Sequence, residues 1–261
     1  MKIDIHSHIL PDIDDGAKSL DVSISMAKMY VENGYNKVIA TPHYFDINQS
    51  KSPSDLLEAK SILDKALLNE GIDLKILLGN EVYFSDDTLS DIQKKNAFTL
   101  NNTRYVLIEF PSTDIPNYTE DVIFSLQLKG YIPIISHPER NTRIMKSPNI
   151  LYELVEKGVL AQLNIHSLTG LYGAKSMELS ECLLKHNLIH FVATDSHSDG
   201  RRSPNVIKAL KKLRKTVDSK LYDKIIYTYP EALINNEVII TDKPLFIEKK
   251  ESLKSKILSL F

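Results

Sequence analysis

Seven short apolar runs recur along the chain, and a stretch of helical patterning follows most of them. The runs fall near residues 2–5, 37–40, 74–78, 105–110, 132–135, 159–165 and 190–193. The helical stretches lie near 20–33, 53–69, 118–129, 150–157, 174–187, 204–217 and 221–235. Several have clear stop signals, such as Asn33-Gly34, Gly71, Gly130 and Gly158. Ser52-Pro53-Ser54-Asp55 is a clear start. Run-then-helix order of this kind predicts a parallel sheet with crossover helices, either open and doubly wound or closed into a barrel.

The polar residues choose between the two. His6 and His8 follow the first run, His43 the second, and Glu81 the third. Glu109 sits near the end of the fourth run, His137 follows the fifth, Asn164 and His166 stand at the end of the sixth, and Asp195 and His197 follow the seventh. An open sheet would spread these ends along a line, whereas a barrel gathers the C-terminal ends of its strands at one mouth. The expected fold is therefore α/β, a distorted (β/α)7-type barrel.

Composition supports one sizeable core: 261 residues, 43% of them hydrophobic. A net charge of -2 gives no overall pull toward nucleic acid. The single cysteine, Cys182, rules out an intrachain disulfide and reads as a small buried hydrophobe in a helix. The opening Met-Lys-Ile-Asp-Ile-His lacks a signal-peptide pattern, and no apolar stretch reaches the ~18 residues of a membrane span. A cytoplasmic location is expected.

His-x-His places two imidazoles on one side of an extended strand, because side chains alternate with period two. Asp195-x-His197 repeats that geometry on the last run. Imidazoles and carboxylates without thiolates suit divalent transition ions such as Zn²⁺, Mn²⁺ or Fe²⁺. Two or three such ions held together activate water near neutral pH and clamp phosphate oxygens. Arginine is then wanted for the remaining phosphate charge, and Arg140 and Arg201 stand beside ligand motifs. His186 and His190 read as structural. A cysteine phosphatase would need an arginine six residues after Cys182, where Leu188 stands, and no Gly-x-Ser-x-Gly elbow occurs.

The stretch from Asp4 to Pro11, with Asp14-Asp15-Gly16 after it, resembles the PHP (polymerase and histidinol phosphatase) superfamily. Within it the chain resembles the bacterial PHP-type protein-tyrosine phosphatases of capsule and exopolysaccharide loci. Thr41-Pro42-His43, Gly79-Asn80-Glu81, Leu107 to Pro111, His137-Pro138-Glu139-Arg140-Asn141 and Asp195-Ser196-His197 carry the narrower likeness.

The resemblance implies one PHP domain over residues 1–261 holding three divalent ions, Mn²⁺ first, with Fe, Zn, Co and Mg as alternatives. His6, His8, Glu81 and Asp195 would hold one ion. Glu81, Glu109 and His137 would hold a second, and Asp15, His43 and His197 a third. Preferring Asp15 to Asp14 rests on the resemblance alone. Arg140 and Arg201 would bind phosphate. The implied substrate is the phosphotyrosine tail of a membrane-associated tyrosine autokinase that controls polysaccharide export. A histidinol-phosphatase-type small-molecule enzyme and a non-catalytic kinase-docking regulator are the alternatives. The tail from about 247 to 261 has helical spacing with interspersed lysines, and reads as a helix packed on the barrel or a frayed end, with contact to a membrane surface or the kinase complex as the alternative.

Overall fold

The computed structural model describes residues 2–248, and most of the tail just named lies outside them. All strand pairings are parallel. β1 (Lys2–Ser7), β2 (Tyr35–Ala40) and β4 (Lys75–Leu78) form one sheet. β3 (His43–Tyr44), β5 (Glu81–Tyr83), β6 (Tyr105–Glu109), β7 (Ile132–Ser136), β8 (Leu160–Asn164) and β9 (Phe191–Ala193) form the other.

The two sheets are parts of one ring. β2 breaks at Thr41-Pro42 and resumes as β3, since proline brings no N–H to a ladder. β4 breaks at Gly79-Asn80 and resumes as β5. Gly79 is pressed against Leu100, and a Cβ there would lie 2.7 Å from a Leu100 methyl carbon. The Asn80 side chain stitches both breaks by donating to Pro42 O and accepting from Phe98 N. At the far side, Asp195 N donates to His6 O and His8 N to Ser196 O. Hydrogen bonding thus passes round seven strand positions and returns to β1, closing the distorted barrel that the polar residues implied.

Inside, one apolar cluster takes Ile3 and Ile5 from β1, Ile39 from β2, Leu77 from β4, Leu107 from β6, Ile134 from β7, Leu160 from β8 and Phe191 from β9. Every strand position contributes, so this cluster is the packed floor of the barrel. Period two then carries each inner line upward to the mouth: Ile39 to His43, Leu77 to Glu81, Leu107 to Glu109, Ile134 to Ser136, Leu160 to Gln162 and Asn164, Phe191 to Asp195. β1 needs help, because Ile5 and His6 differ in parity. A register shift between Asp4 and Ser7 against β2 supplies it, and a bulge of that kind re-aims side chains.

Opposite faces of the strands bury Val38, Ile76, Val106, Ile108, Ile135, Leu163 and Val192 under the helices. These include α1 (Leu20–Glu32), capped by Ser19, and α2 (Pro53–Asn69), which opens on a Ser52–Asp55 capping box. α3 (Thr88–Gln93), α4 (Thr119–Leu128), α5 (Thr142–Lys146), α6 (Asn149–Glu156) and α7 (Ala174–Lys185) follow, then α8 (Ile207–Thr216). The helical pattern over 221–235 resolves into α9 (Ser219–Asp223), a π turn (Lys224–Thr228) and α10 (Tyr229–Ile234). Pro230 cannot donate within such a helix, and the wider turn lies just ahead of it. Cys182 is half-buried rather than fully buried. His186 bonds Cys182 O, and buried His190 accepts from Ala161 N, as suits structural histidines.

Candidate metal centre

Four ligand-type atoms meet where β1, β5 and the end of β9 converge. His6 Nε2 lies 3.1 Å from Glu81 Oε2 and 3.5 Å from Asp195 Oδ1. His8 Nε2 lies 3.4 and 3.5 Å from the same two oxygens, and 3.2 Å from His6 Nε2. A tetrahedral ion with ligands at about 2.1 Å has ligand–ligand edges of about 3.4 Å. The group already has that spacing, and all four residues are buried.

Two further groups adjoin it. Asp15, His43 and His197 gather beside His8, with Asp15 Oδ1 at 3.5 Å from His43 Nε2 and 3.3 Å from His197 Nε2. The other His43 nitrogen faces Glu81 Oε2 at 3.2 Å and Glu109 Oε2 at 3.6 Å. His137 Nε2 lies 2.8 Å from Glu81 Oε1 and 3.6 Å from Glu109 Oε1. All nine residues expected as ligands therefore converge on the mouth. His43 differs from its expected place in that its ring faces two groups.

The donor atoms fit cations. Glu81 Oε2, Asp195 Oδ1 and His43 Nδ1 are buried without a hydrogen-bond partner, and each points into one of these groups. Such atoms are costly unless something positive meets them. Meanwhile three imidazoles have Nδ1 against an acceptor, which directs Nε2 to the cluster. His6 Nδ1 faces Gln162 Oε1 at 2.9 Å, His8 Nδ1 faces Asp14 Oδ2 at 2.6 Å, and His197 Nδ1 faces Asp195 O at 3.0 Å.

That geometry separates the two neighbouring aspartates. Asp15 is exposed and joins the His43–His197 group, whereas Asp14 backs His8 and accepts from His43 N and Gly16 N. Gly16 lies so close to His8 that a Cβ would come within 2.2 Å of His8 O. No larger residue allows the loop to fold over the imidazole.

Electrostatics tell the same story. Burial resists a charged His6 and His8, yet the carboxylates around them outweigh it and raise both pKa values. Burial would likewise raise Glu81 and Asp195, but the imidazoles, and Arg202 beside Asp195, hold both well below the usual carboxylate range. Burial and the Glu81 charge push Glu109 up to about 7. A hydrogen bond from His197 pulls Asp15 down to about 2. The mouth is short of positive charge, and either protons or cations supply it.

Of the two arginines expected here, Arg140 arrives, with Nη1 at 3.1 Å from Asp195 Oδ2 and its guanidinium over the Tyr172 ring at 4.6 Å. Arg201 does not. It is exposed, and its neighbour Arg202 donates from Nη2 to Asp195 Oδ2 at 2.7 Å. His197 N and Ser198 N both donate to Arg202 O, and His166 binds Ser203 O. This pinned turn aims Arg202 at the mouth, and adjacent residues in the motif cannot be told apart from spacing alone.

Beneath the centre, fully buried Asp4 accepts from Tyr30 Oη, Thr194 Oγ1 and Thr194 N, tying β1, β9 and α1 together. Beside His43 lies an open cleft of about 580 Å³, lined by Asp15, Phe45 and Lys51 among others. Half-exposed Phe45 stacks on His43 at 5.4 Å and meets Tyr83 at 5.6 Å. Gln162, Arg202 and Ser136, which donates to Glu81 Oε1, were not among the expected site residues, and Asp14 was weighed only as the alternative ligand to Asp15. Gln162 was reachable through its place two residues below Asn164 on an inner line.

Known proteins resemble this one over nearly its whole length. The family model for capsular polysaccharide synthesis, CpsB/CapC, matches residues 2–235. The tyrosine-protein phosphatase YwqE of Bacillus subtilis is 40% identical over 249 residues, covering 95% of this chain and 98% of that protein. The putative tyrosine-protein phosphatase CapC of Staphylococcus aureus is 36% identical over 247 residues, 92% of each. A crystal structure from a study of B. subtilis YwqE and Streptococcus pneumoniae CpsB, described as metal-dependent tyrosine phosphatases, superposes with a TM-score of 0.91. It is 40% identical and covers 95% of this chain and 100% of the solved one. A lactonase from Listeria monocytogenes, 11% identical with a TM-score of 0.57, shares the fold alone.

Proposed function

The chain belongs to the CpsB/CapC family of capsular polysaccharide synthesis, and from that membership and the site we propose that it is a metal-dependent phosphatase acting on phosphotyrosine in protein. One observation carries the reading: four buried ligand atoms, from His6, His8, Glu81 and Asp195, stand at the mutual spacing of a metal's coordination shell. We assign a second ion to Glu81, Glu109 and His137, and a third to Asp15, His43 and His197, with Mn²⁺ as the first choice of metal. Bound there, divalent ions supply Lewis acidity for acidifying water and neutralising phosphate charge.

The chain's own residues do the rest. Arg140 and Arg202, whose guanidinium groups meet at Asp195, present donors at the edge of the cluster for phosphate oxygens. Phe45 offers an aromatic face beside His43 for the phenyl ring of the substrate. A phenolate leaves without a strong proton donor, which fits a mouth crowded with carboxylates.

The natural substrate on this reading is the phosphotyrosine-bearing tail of a membrane-associated kinase in a capsule or exopolysaccharide locus, met from the cytoplasmic side. No helix among the described residues is long and apolar enough to cross a membrane. The test is phosphate release from a phosphotyrosine peptide with added Mn²⁺, with a chelator control, in the wild type, His6→Ala and Arg140→Ala. Loss of activity in all three controls supports the reading. An inactive wild type with bound metal overturns it.

A further inference from the structure

Behind the His6–His8–Glu81–Asp195 group runs a chain of side-chain amides. His6 Nδ1 lies 2.9 Å from Gln162 Oε1, Gln162 Nε2 lies 3.0 Å from Asn164 Oδ1, and Asn164 Nδ2 lies 2.6 Å from Asp195 Oδ2. All four residues are fully or almost fully buried. The chain starts on one ligand of the first ion and ends on another.

Its polarity is not free. Guanidinium groups only donate, and Arg140 and Arg202 both bond Asp195 Oδ2, so that oxygen is an acceptor. Asn164 must therefore turn its NH₂ group to Asp195 and its oxygen to Gln162. Gln162 must then donate to Asn164, which leaves its own oxygen facing His6. An oxygen there demands a proton on His6 Nδ1. The lone pair of His6 is thereby left on Nε2, on the side of the cation.

We propose that Gln162 and Asn164 are positioning residues whose one-directional relay fixes the proton of His6 on Nδ1 and occupies Asp195 Oδ2, so that His6 Nε2 and Asp195 Oδ1 stay open toward the same cation. This rests on the metal-centre reading above. Three observations support it. Asp195 Oδ1 is the carboxylate oxygen left without a partner, while Oδ2 has three donors. Asn164 is itself braced, since its backbone N donates to Glu139 Oε1, which also accepts from Ser167 Oγ. Finally, the inner line of β8 is apolar at Leu160 and turns polar at Gln162, where it meets His6. A buried amide is costly unless bonded, so an apolar side chain would serve packing alone better there.

The experiment compares ion-free wild type, Gln162→Leu, Asn164→Leu and the double variant by calorimetric titration with Mn²⁺ and by metal counting. Breaking either link disables the same relay. Each single variant should weaken the tightest site by roughly 10–100-fold, the usual cost of losing an outer-shell partner. The double variant should be no worse than the weaker single one, the mark of residues acting as a unit. Affinities within twofold of the wild type, or losses that multiply, overturn the relay. Should the variants not fold, the Zn²⁺-loaded wild type decides by nuclear magnetic resonance. A slowly exchanging His6 Nδ1 proton supports the relay, and its absence overturns it. A wild type that takes up no cation instead overturns the metal-centre reading itself.

Discussion

Nδ1 of His8 and Oδ2 of Asp14 lie 2.6 Å apart, and the same carboxylate oxygen accepts from the backbone N of His43. One side chain thus orients His8, just past β1, and anchors the segment that carries His43. Asp14→Asn should lower Mn²⁺ affinity roughly 10–100-fold, through its contact with His8. Asp15→Asn should instead cost one ion while leaving the tightest site intact. Metal counts and titrations on the two variants check both outcomes.

Cation binding should tighten as pH rises. His6 and His8 have raised pKa values in the ion-free protein. Protons that they hold must leave before Nε2 can meet a metal, so lowering the pH favours the proton over the cation. Titrations at pH 6 and pH 8 should show weaker binding and greater proton release at the lower pH. Chelation should correspondingly lower the melting temperature. A ligand at 100 times its Kd stabilises by about 2.7 kcal/mol.

The three arginines should separate cleanly. Arg140→Ala should lower kcat/KM for a phosphotyrosine peptide by roughly 10²–10³-fold, the scale of removing one charge-stabilising donor, with metal content little changed. Arg202→Ala should lower activity and also metal content, because Arg202 gives Asp195 Oδ2 its shorter arginine contact. Exposed Arg201→Ala should stay within about twofold of the wild type. Steady-state kinetics beside metal analysis distinguishes the three.

His190 should make the fold acid-sensitive. It is buried, and burial pushes its pKa from 6.5 down to about 4, against a weaker opposing pull from Asp242. Above pH 6.5 the ring is neutral in both states. As pH falls from 6.5 to 4 the unfolded chain gains a proton that the folded one refuses, so stability drops by up to about 3 kcal/mol. His190→Asn keeps an acceptor for Ala161 N without a titrating ring. Urea denaturation of chelated protein at several pH values should show a shallower loss in the variant.

Much of this was legible because period two runs unbroken from floor to mouth on six strand positions. Ile39 to His43 and Phe191 to Asp195 can be counted off the sequence. What escaped depends on facts that spacing does not hold. The register shift in β1 lets Ile5 and His6 both face inward. β3 and β5, which resume beyond Thr41-Pro42 and Gly79-Asn80, lie past the ends of the runs expected at 37–40 and 74–78. Whether Arg201 or Arg202 enters the mouth depends on a turn pinned by His166, a contact between distant elements. Gln162 can be placed on the inner line of β8 from its spacing to Asn164, but its contact with His6 joins distant strands and is not in the spacing.

The barrel closes where Ser7 meets Ser196, so the first and last strands are neighbours, and the His6–His8–Glu81–Asp195 group straddles that seam. On a ribosome making about 5–20 residues per second, His6 and His8 wait roughly 10–40 s for Asp195. The coordination shell can be complete only after the final strand docks. A cation held across the seam then works as a latch. With an ion bound there, peeling β9 from β1 would require breaking metal–ligand bonds, so the ion should slow unfolding more than it speeds folding.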